Sequence, residues 1–368
     1  MNEFLRPAKV EINLTALEHN YRLLKQLCAP STLIPVLKAN AYGHGLIRCA
    51  QLMQDLGASY LSVAFLDEAI ALRKEGITLP ILCFSAFSTS QIEGYLHYGI
   101  TFTIPSLEKL KLVEDKAKTL GKKAKIHIKI DTGMERIGTH YYSCEALIQQ
   151  ALESSYCHLE AVYSHFAESE HEDPSFTKLQ LERFLTATEK SSKHHQRHIA
   201  NSGALLQFKE SHLDYTRAGL ALYGISPLTK SFSFPLKSAM SLSSGVVYFK
   251  VIQPDTTVGY SRTWKAQRQT RVITVPIGYG DGYPRELSNK GEVLIRGKRF
   301  PIIGRVCMDQ FMVDIGDSEA FNGEEVVLFG TQLEENISVE EISSHTGSDP
   351  RHVLCSLNER LPRVYTQT

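Results

Sequence analysis

Up to about residue 225 the chain alternates short apolar, β-branched runs with longer amphipathic stretches, and it does so eight times over. After a lead-in "KVEINL" and the helix-like "TALEHNYRLLKQLCA", the runs are "TLIPVLK", "YLSVAF", "ILCFS", "TFTIP", "KIHIKID", "LEAVYSH", "RHIAN" and "DYTRAGLA". Each has strand length and composition, whereas intervening segments such as "LIRCAQLMQDLG", "SLEKLKLVEDKAKTLG" and "FTKLQLERFLTATEKSS" carry the helical period. Several of the helical segments end at glycine, the residue favoured just past a helix C-terminus. Parallel strands need crossover connections of this kind, and eight of them close into a cylinder that side chains can fill. The expected architecture of this part is therefore a (β/α)8 TIM-type barrel.

The 368 residues exceed the ~250 to 300 at which one hydrophobic core stops growing, so a second domain is expected. From about Ser231 valine, threonine, glycine and proline rise, and "GVVYFKVI", "TRVITVPIG", "GEVLIRG", "RFPIIGRVCM" and "EEVVLFG" follow closely with turn signals between them. We expect a barrel over residues 1–230 and a mainly β domain over residues 231–368, divided near "SPLTKSFSFPL". Lysine plus arginine equals aspartate plus glutamate at 40 each, which removes the basic footprint of a nucleic-acid binder and leaves a small molecule as the expected partner. The N-terminus has no apolar core behind a basic start, and no run approaches the ~18 apolar residues of a membrane span, so the expected location is the cytoplasm. Seven scattered cysteines without a CxxC pair suggest neither a disulfide framework nor a zinc site.

A barrel collects its chemistry at the C-terminal ends of its strands. Lys38 ends the first run, Arg136 follows the fifth in "KIDTGMERIG", and His165 ends the sixth. Asn201 and Ser202 follow the seventh in "IANSGAL", while Arg217 and Gly219 close the eighth. Each alone has an ordinary reading: a solvated loop lysine, a hydrogen-bonded core histidine, a salt-bridge arginine, a helix-capping serine. Together they place cations, an imidazole, an amide and a hydroxyl at one mouth. The loops after strands seven and eight are a recurrent phosphate site of this fold, here Ser202 and Gly219. A lysine in an apolar mouth has its charged form disfavoured, which makes its amine a nucleophile for a carbonyl. A cofactor with an aldehyde at one end and a phosphate at the other fits, and pyridoxal 5'-phosphate is that cofactor, with Lys38 as its Schiff-base lysine.

The blocks "LKANAYGHG", "DTGMERIG", "SHFA", "ANSGAL", "RAGLALYG", "VGYSRTW", "PIGYGDG", "GRVCMDQ" and "RLPRVY" span both expected domains, and through them the sequence resembles the alanine racemases. The resemblance implies a pyridoxal-phosphate isomerase that interconverts L- and D-alanine and supplies D-alanine for peptidoglycan, working as a homodimer with shared active sites. It implies Lys38 as the base for one face of the substrate and Tyr260, from the partner subunit, for the other, with His165 beside the phenol and linked to Arg217. It places Arg217 against the pyridine nitrogen and Tyr42, Ser202, Gly219 and Leu220 at the phosphate, with Asn201 nearby. Arg136, the partner's Met308 and Asp309, and Tyr279 are implied for the substrate side, and Lys129 is implied as a site of carbamylation. There are departures: Trp264 stands where a tyrosine is frequent, and Glu359 where some relatives place a phosphate-contacting tyrosine, a role an ionised carboxylate cannot fill. A racemase of another or broader amino-acid range and a non-catalytic cofactor carrier are the competing readings. A decarboxylase of the same architecture would pair the ring nitrogen with a carboxylate instead.

Overall fold

The computed structural model describes residues 6–228 and 234–367 and divides into two compact units. The expected boundary between 230 and 231 lies outside the described residues. One unit comprises Leu17–Ala41 and Gly45–Lys237; the other comprises the described parts of Met1–Ala16, Tyr42–His44 and Ser238–Thr368.

The first unit is the (β/α)8 barrel. Its strands are β1 (Thr32–Pro35), β2 (Leu61–Val63), β3 (Ile81–Cys83), β4 (Phe102–Ile104), β5 (Ala124–Asp131), β6 (Cys157–Tyr163), β7 (Gln196–His198) and β8 (Tyr215–Ala218). Parallel pairing runs β4-β5-β6-β7-β8-β1, and β2 pairs with β3. Parallel bridges Val36↔Ser62 and Leu82↔Thr101 join the two pieces, so the ring closes. Every residue of β2, β3 and β4 is buried, as expected where a strand is covered on both faces. Helices Leu46–Asp55, Leu66–Lys74, Ile92–Tyr98, Leu107–Thr119, Glu145–Glu153 and Ser175–Thr188 follow β1 to β6 in turn. The six-residue helix Ser202–Gln207 and a 3-10 turn over Lys209–Ser211 follow β7, and a 3-10 turn over Leu220–Tyr223 follows β8.

The first strand is shorter than its apolar run. Its pairing with β8 reaches Pro35, and Lys38 opens the turn beyond it. Ala39, Asn40, Ala41 and Tyr42 then take φ of 54°, 54°, 54° and 52°, a left-handed helical turn built without glycine. Such residues cost roughly 1–2 kcal/mol each, so something must hold the turn. Asn40 accepts from Leu46 N at 2.8 Å, and Glu68 accepts from Ala39 N at 2.6 Å.

The second unit is mainly β. Its sheet includes β9 (Met240–Gly245), β10 (Tyr248–Ile252), β11 (Thr270–Val275), β12 (Glu292–Ile295), β13 (Lys298–Ile303), β14 (Phe311–Gly316), β15 (Glu325–Gln332) and β16 (Arg363–Thr366). The order is β10-β11-β14-β13-β12-β15-β9, then the lead-in strand Lys9–Asn13, then β16. Burial alternates strictly along β14, with Phe311, Val313 and Ile315 inward, as the period of two demands. The lead-in strand belongs here and not to the barrel: it pairs antiparallel with β9 and parallel with β16. Its alternating pattern states that one face is buried but not which sheet it joins.

Candidate active site

The barrel strands carry their functional groups on a polar interior face. In "KIHIKID" Ile126, Ile128 and Ile130 point one way, and Lys125, His127, Lys129 and Asp131 the other. The last three of that polar set are buried, because in a barrel both faces of the strand are covered. The Asp131 carboxylate organises the loop after β5, accepting from Gly133 N at 2.8 Å, Met134 N at 3.0 Å and Arg136 N at 3.3 Å. Burial works to raise its carboxyl, but these backbone donors outweigh it and hold the group below its ordinary range. Arg136 leaves this loop exposed. Gly138, at φ 120°, comes so close that an added Cβ would stand 2.8 Å from the Lys129 carbonyl oxygen.

Arg217 is 3 % exposed, and its guanidinium donates to His198 Nδ1 at 2.6 Å, to His165 Nδ1 at 3.1 Å and to the carbonyls of Ser164 and Ile199 at 2.9 Å each. Arginine has donors only, so both imidazoles must present a bare Nδ1 and carry the ring proton on Nε2. Burial first, then the charge of Arg217, pushes both rings well below the ordinary histidine range, so both are neutral. Lys129, Arg136 and Lys38 push His165 the same way. The guanidinium of Arg217 lies 5.5 Å and the Lys129 amine 5.3 Å from the centre of the Tyr163 ring. Lys129 is itself 3 % exposed, and its amine is lowered to about 7 by burial first and then by Arg217 and Arg136. Four cationic side chains thus bear on one imidazole. Such a cluster is stable when an anionic ligand completes it.

After β7, the neighbour of the strand that carries Arg217, Asn201 caps the helix Ser202–Gln207, its Oδ1 accepting from Ala204 N at 3.1 Å. The capping residue is therefore the asparagine and not the serine. Ser202 ties two loops together, its Oγ accepting from Gly219 N at 2.9 Å and Ala221 N at 3.3 Å. With both lone pairs taken, the hydroxyl proton is left to donate outward, which suits a phosphate oxygen. Leu220 starts the adjoining 3-10 turn. An amine, a donor hydroxyl beside two helical starts and a surrounding of cations fit a ligand with a carbonyl and a phosphate.

The remaining expected residues lie in the other unit. Tyr42 is buried there, its phenol pushed up to about 12 by desolvation. Tyr260, 72 % exposed, sits at the tip of a hairpin whose arms Thr257–Val258 and Trp264–Lys265 pair. Trp264 faces Val258 across that ladder and packs on Ile252, Ala266, Val272 and Ile303, so it anchors the hairpin. A cavity of about 840 Å³ is lined by Tyr260, Met308, Asp309 and Val258 among others. Tyr279 N donates to Cys307 O at 3.1 Å and Gly280 N to Met308 O at 2.8 Å. A Cβ on Gly278 would stand 2.3 Å from the Cys307 carbonyl, so the blocks "PIGYGDG" and "GRVCMDQ" require one another. Asp309 pairs with Arg360 at 2.7 Å, and Glu359 is exposed in a turn.

Sequence reasoning passed over Glu68, His127, His198 and Glu160. The signal for His127 was present, as the polar alternation of "KIHIKID". Glu68 had none beyond its place near the start of a helix.

Comparison with known proteins agrees over the whole chain. Residues 12–227 match the alanine racemase N-terminal domain and residues 239–365 the alanine racemase C-terminal domain. Alanine racemase 2 of Caldanaerobacter subterraneus subsp. tengcongensis is 39% identical over 373 residues, covering 99% of this chain and 96% of that protein. The alanine racemase of Desulfovibrio desulfuricans is 40% identical over 374 residues, covering 100% of both. Among solved structures, the alanine racemase of Streptomyces lavendulae superposes with a TM-score of 0.94 at 32% identity, covering 100% of this chain and 98% of that one. That of Bartonella henselae, which carries covalently bound pyridoxal phosphate, has a TM-score of 0.91 at 30% identity, covering 98% of this chain and 100% of that one. On these matches, spanning both units and the blocks that build the site, the chain belongs to the alanine racemase family.

Proposed function

We propose that this protein interconverts L- and D-alanine with pyridoxal phosphate held at the barrel mouth, and that the D-alanine it makes serves peptidoglycan synthesis. The observation that carries the reading is the placement of functional groups at or just after the ends of the barrel strands: Lys38 in the turn after β1, Arg217 bonded to His165 Nδ1 at 3.1 Å, and the Ser202 hydroxyl held by Gly219 N at 2.9 Å, a set suited to an anionic cofactor with an aldehyde. Bound there, the cofactor acidifies the α-proton of an amino acid by drawing in the electron pair left behind.

The chain's own residues then have separable tasks. Lys38 would hold the cofactor through its amine, and that amine, when free, would take or return a proton at Cα from one face. Tyr260 of the partner subunit serves the other face, so the active unit is a homodimer. A phenol, with its ordinary pKa of ~10, is in general a poor base at neutral pH and is helped by a donor that stabilises its anion. The neutral His165 supplies one, because Arg217 occupies its Nδ1 and leaves Nε2–H pointing elsewhere. The histidine therefore acts as a donor, and the permanent charge behind it belongs to Arg217.

Arg217 offers a guanidinium N–H to the pyridine nitrogen, which keeps that nitrogen unprotonated, since arginine does not surrender a proton. A decarboxylase would place a carboxylate here; the hydrogen-bond partners of Arg217 are imidazoles and carbonyls. Ser202 Oγ–H and the Leu220 N–H would hold the phosphate with Tyr42, Gly219 would direct the Ser202 hydroxyl toward it through its own N–H, and Asn201 fixes the helix start beside them. Arg136 holds the substrate carboxylate or the phenolic oxygen of the cofactor, the backbone N–H of the partner's Met308 assists at the carboxylate with the partner's Asp309 beside it, and Tyr279 lines the entrance. Lys129 is carbamylated: its amine, neutral near pH 7, forms an N–C bond to carbon dioxide and releases one proton, and the resulting anion orients Arg136.

Borohydride treatment should trap a cofactor adduct at Lys38 in a protein that racemises alanine. An adduct without exchange of the alanine α-proton in deuterated water would identify a carrier and refute the reading. Faster turnover of serine, lysine or arginine enantiomers would replace alanine as the substrate.

A further inference from the structure

Arg217 is a buried cation whose nearest polar neighbours are neutral rings, and the hydrogen bonds continue beyond them. Its Nη1 donates to His198 Nδ1 at 2.6 Å. His198 therefore carries its proton on Nε2, which lies 3.1 Å from His127 Nδ1. That atom must accept, so His127 in turn is protonated on Nε2. The direction of every bond in the row is dictated by the one residue that can only donate.

The row ends on an acceptor of the right kind. His127 Nε2 lies 3.7 Å from Glu160 Oε2 and 3.5 Å from the Tyr60 hydroxyl, which itself donates to the same carboxylate oxygen at 3.0 Å. Thr101 Oγ1 stands 2.6 Å from the Tyr60 hydroxyl, and Lys125 lies 3.4 Å from Glu160 Oε1. Glu160 comes to this position through a β-bulge. Along β5 and β6, Ile126 pairs with Leu159 and His127 with Ala161, so Glu160 is the extra residue, and bulges of this type re-aim a side chain. The His198 ring is held in plane by stacking on Tyr163, with centroids 4.7 Å apart and 2° between planes. His127 and His198 are both fully buried, so no water competes for their nitrogens. Burial opposes ionisation of Glu160, but the neighbouring His127 ring, the Lys125 charge and the Tyr60 hydroxyl that donates to it outweigh burial and hold the carboxyl at about 2, so it is an anion.

We propose that Glu160 is a positioning residue for the reaction, terminating a one-way relay through His127 and His198 that fixes the tautomer facing Arg217 and with it the direction of the guanidinium. Without the carboxylate, only the Tyr60 hydroxyl at 3.5 Å remains to accept from His127 Nε2, a weaker and neutral partner, and His127 can move its proton to Nδ1. His198 must then accept on Nε2 and carry its proton on Nδ1, where it opposes the N–H of Arg217. The guanidinium turns away from the ring nitrogen of the cofactor. The inference rests on the assignment of Arg217 to that nitrogen.

The test pairs imidazole nitrogen NMR of the 15N-histidine holoenzyme with the ratio of transamination to racemisation. In the unaltered protein His127 and His198 should both be neutral with the proton on Nε2; an Nδ1–H or doubly protonated His198 overturns the relay without any variant. Glu160→Leu should shift both rings to the other tautomer and raise the transamination ratio about tenfold, the factor expected for losing one hydrogen bond to a charged group. Glu160→Gln retains a carbonyl acceptor and should keep the tautomers and most of the ratio. Native tautomers or an unchanged ratio in Glu160→Leu, with the ratio raised in Arg217→Glu, overturns this inference alone. An unchanged ratio in Arg217→Glu overturns the assignment of Arg217 beneath it.

Discussion

Removing the Glu68 side chain should loosen the grip on the cofactor from a helix that carries none of its ligands. The Glu68 carboxylate accepts from Ala39 N at 2.6 Å, Ala64 N at 2.8 Å and Phe65 N at 3.1 Å. Two of these bonds cap the helix Leu66–Lys74, and the third holds the start of the left-handed turn after Lys38. That turn costs about 4–8 kcal/mol over its four residues relative to ordinary backbone, so each tether matters. The donors lie close to solvent, and water recovers part of each lost bond, which leaves about 1 kcal/mol per bond. Glu68→Ala should then lower global stability by about 3 kcal/mol in urea denaturation. The bond to Ala39 alone, ~1 kcal/mol, should appear as roughly fivefold weaker binding of pyridoxal phosphate to the apo-protein, followed by absorbance. Glu68→Gln keeps one acceptor and should show about half of each effect. Lost stability with unchanged cofactor affinity would refute the idea that Glu68 holds the lysine-bearing turn.

Three further outcomes follow from the site. Tyr260→Phe should abolish racemisation while leaving the borohydride adduct at Lys38 intact, as read by peptide mass spectrometry; undiminished turnover would remove the second base. Unmodified Lys129 binds fewer protons folded than unfolded between its lowered value of about 7 and its ordinary value, so its burial penalty is full below pH 7 and fades as pH rises towards 10. In carbon-dioxide-free buffer Lys129→Met should therefore stabilise the apo-protein by a few kcal/mol at pH 7 and by little at pH 10, and added bicarbonate should erase the gain; equal gains at both pH values would contradict the buried amine. Gly138→Ala places a methyl group against the Lys129 carbonyl and strains φ, so it should cost about 2 kcal/mol or more and weaken alanine binding through Arg136; a neutral effect in a thermal melt would show that the loop gives way freely.

The eight barrel strands were legible because strands covered on both faces favour apolar, β-branched runs, and each of the eight runs overlaps an observed strand. The positions of Lys38, Arg136, His165, Ser202 and Arg217 after or at the ends of those strands followed from the same count. Three things were not legible. The turn "ANAY" contains no glycine, so nothing in its composition announces a left-handed backbone; a bond to Leu46 just beyond it and one to Glu68, 29 residues from Ala39, hold it. The lead-in strand reads as part of whatever follows it, yet pairs with segments more than 200 residues away. The tautomers of His127, His165 and His198 depend on a neighbour that can only donate, and that neighbour is identified only in space.

Local chemistry and periodicity, which any stretch of the chain carries within itself, were enough to determine the barrel, the β domain and a lysine just past a strand end, while the family followed from the resemblance of sequence blocks along both units. Which imidazole nitrogen is bare, which amine is neutral and which carboxylate stands behind the arginine were decided by the tertiary structure. Those properties arise from burial and from directional bonds between residues far apart in sequence, and burial and direction exist only once the chain has closed on itself.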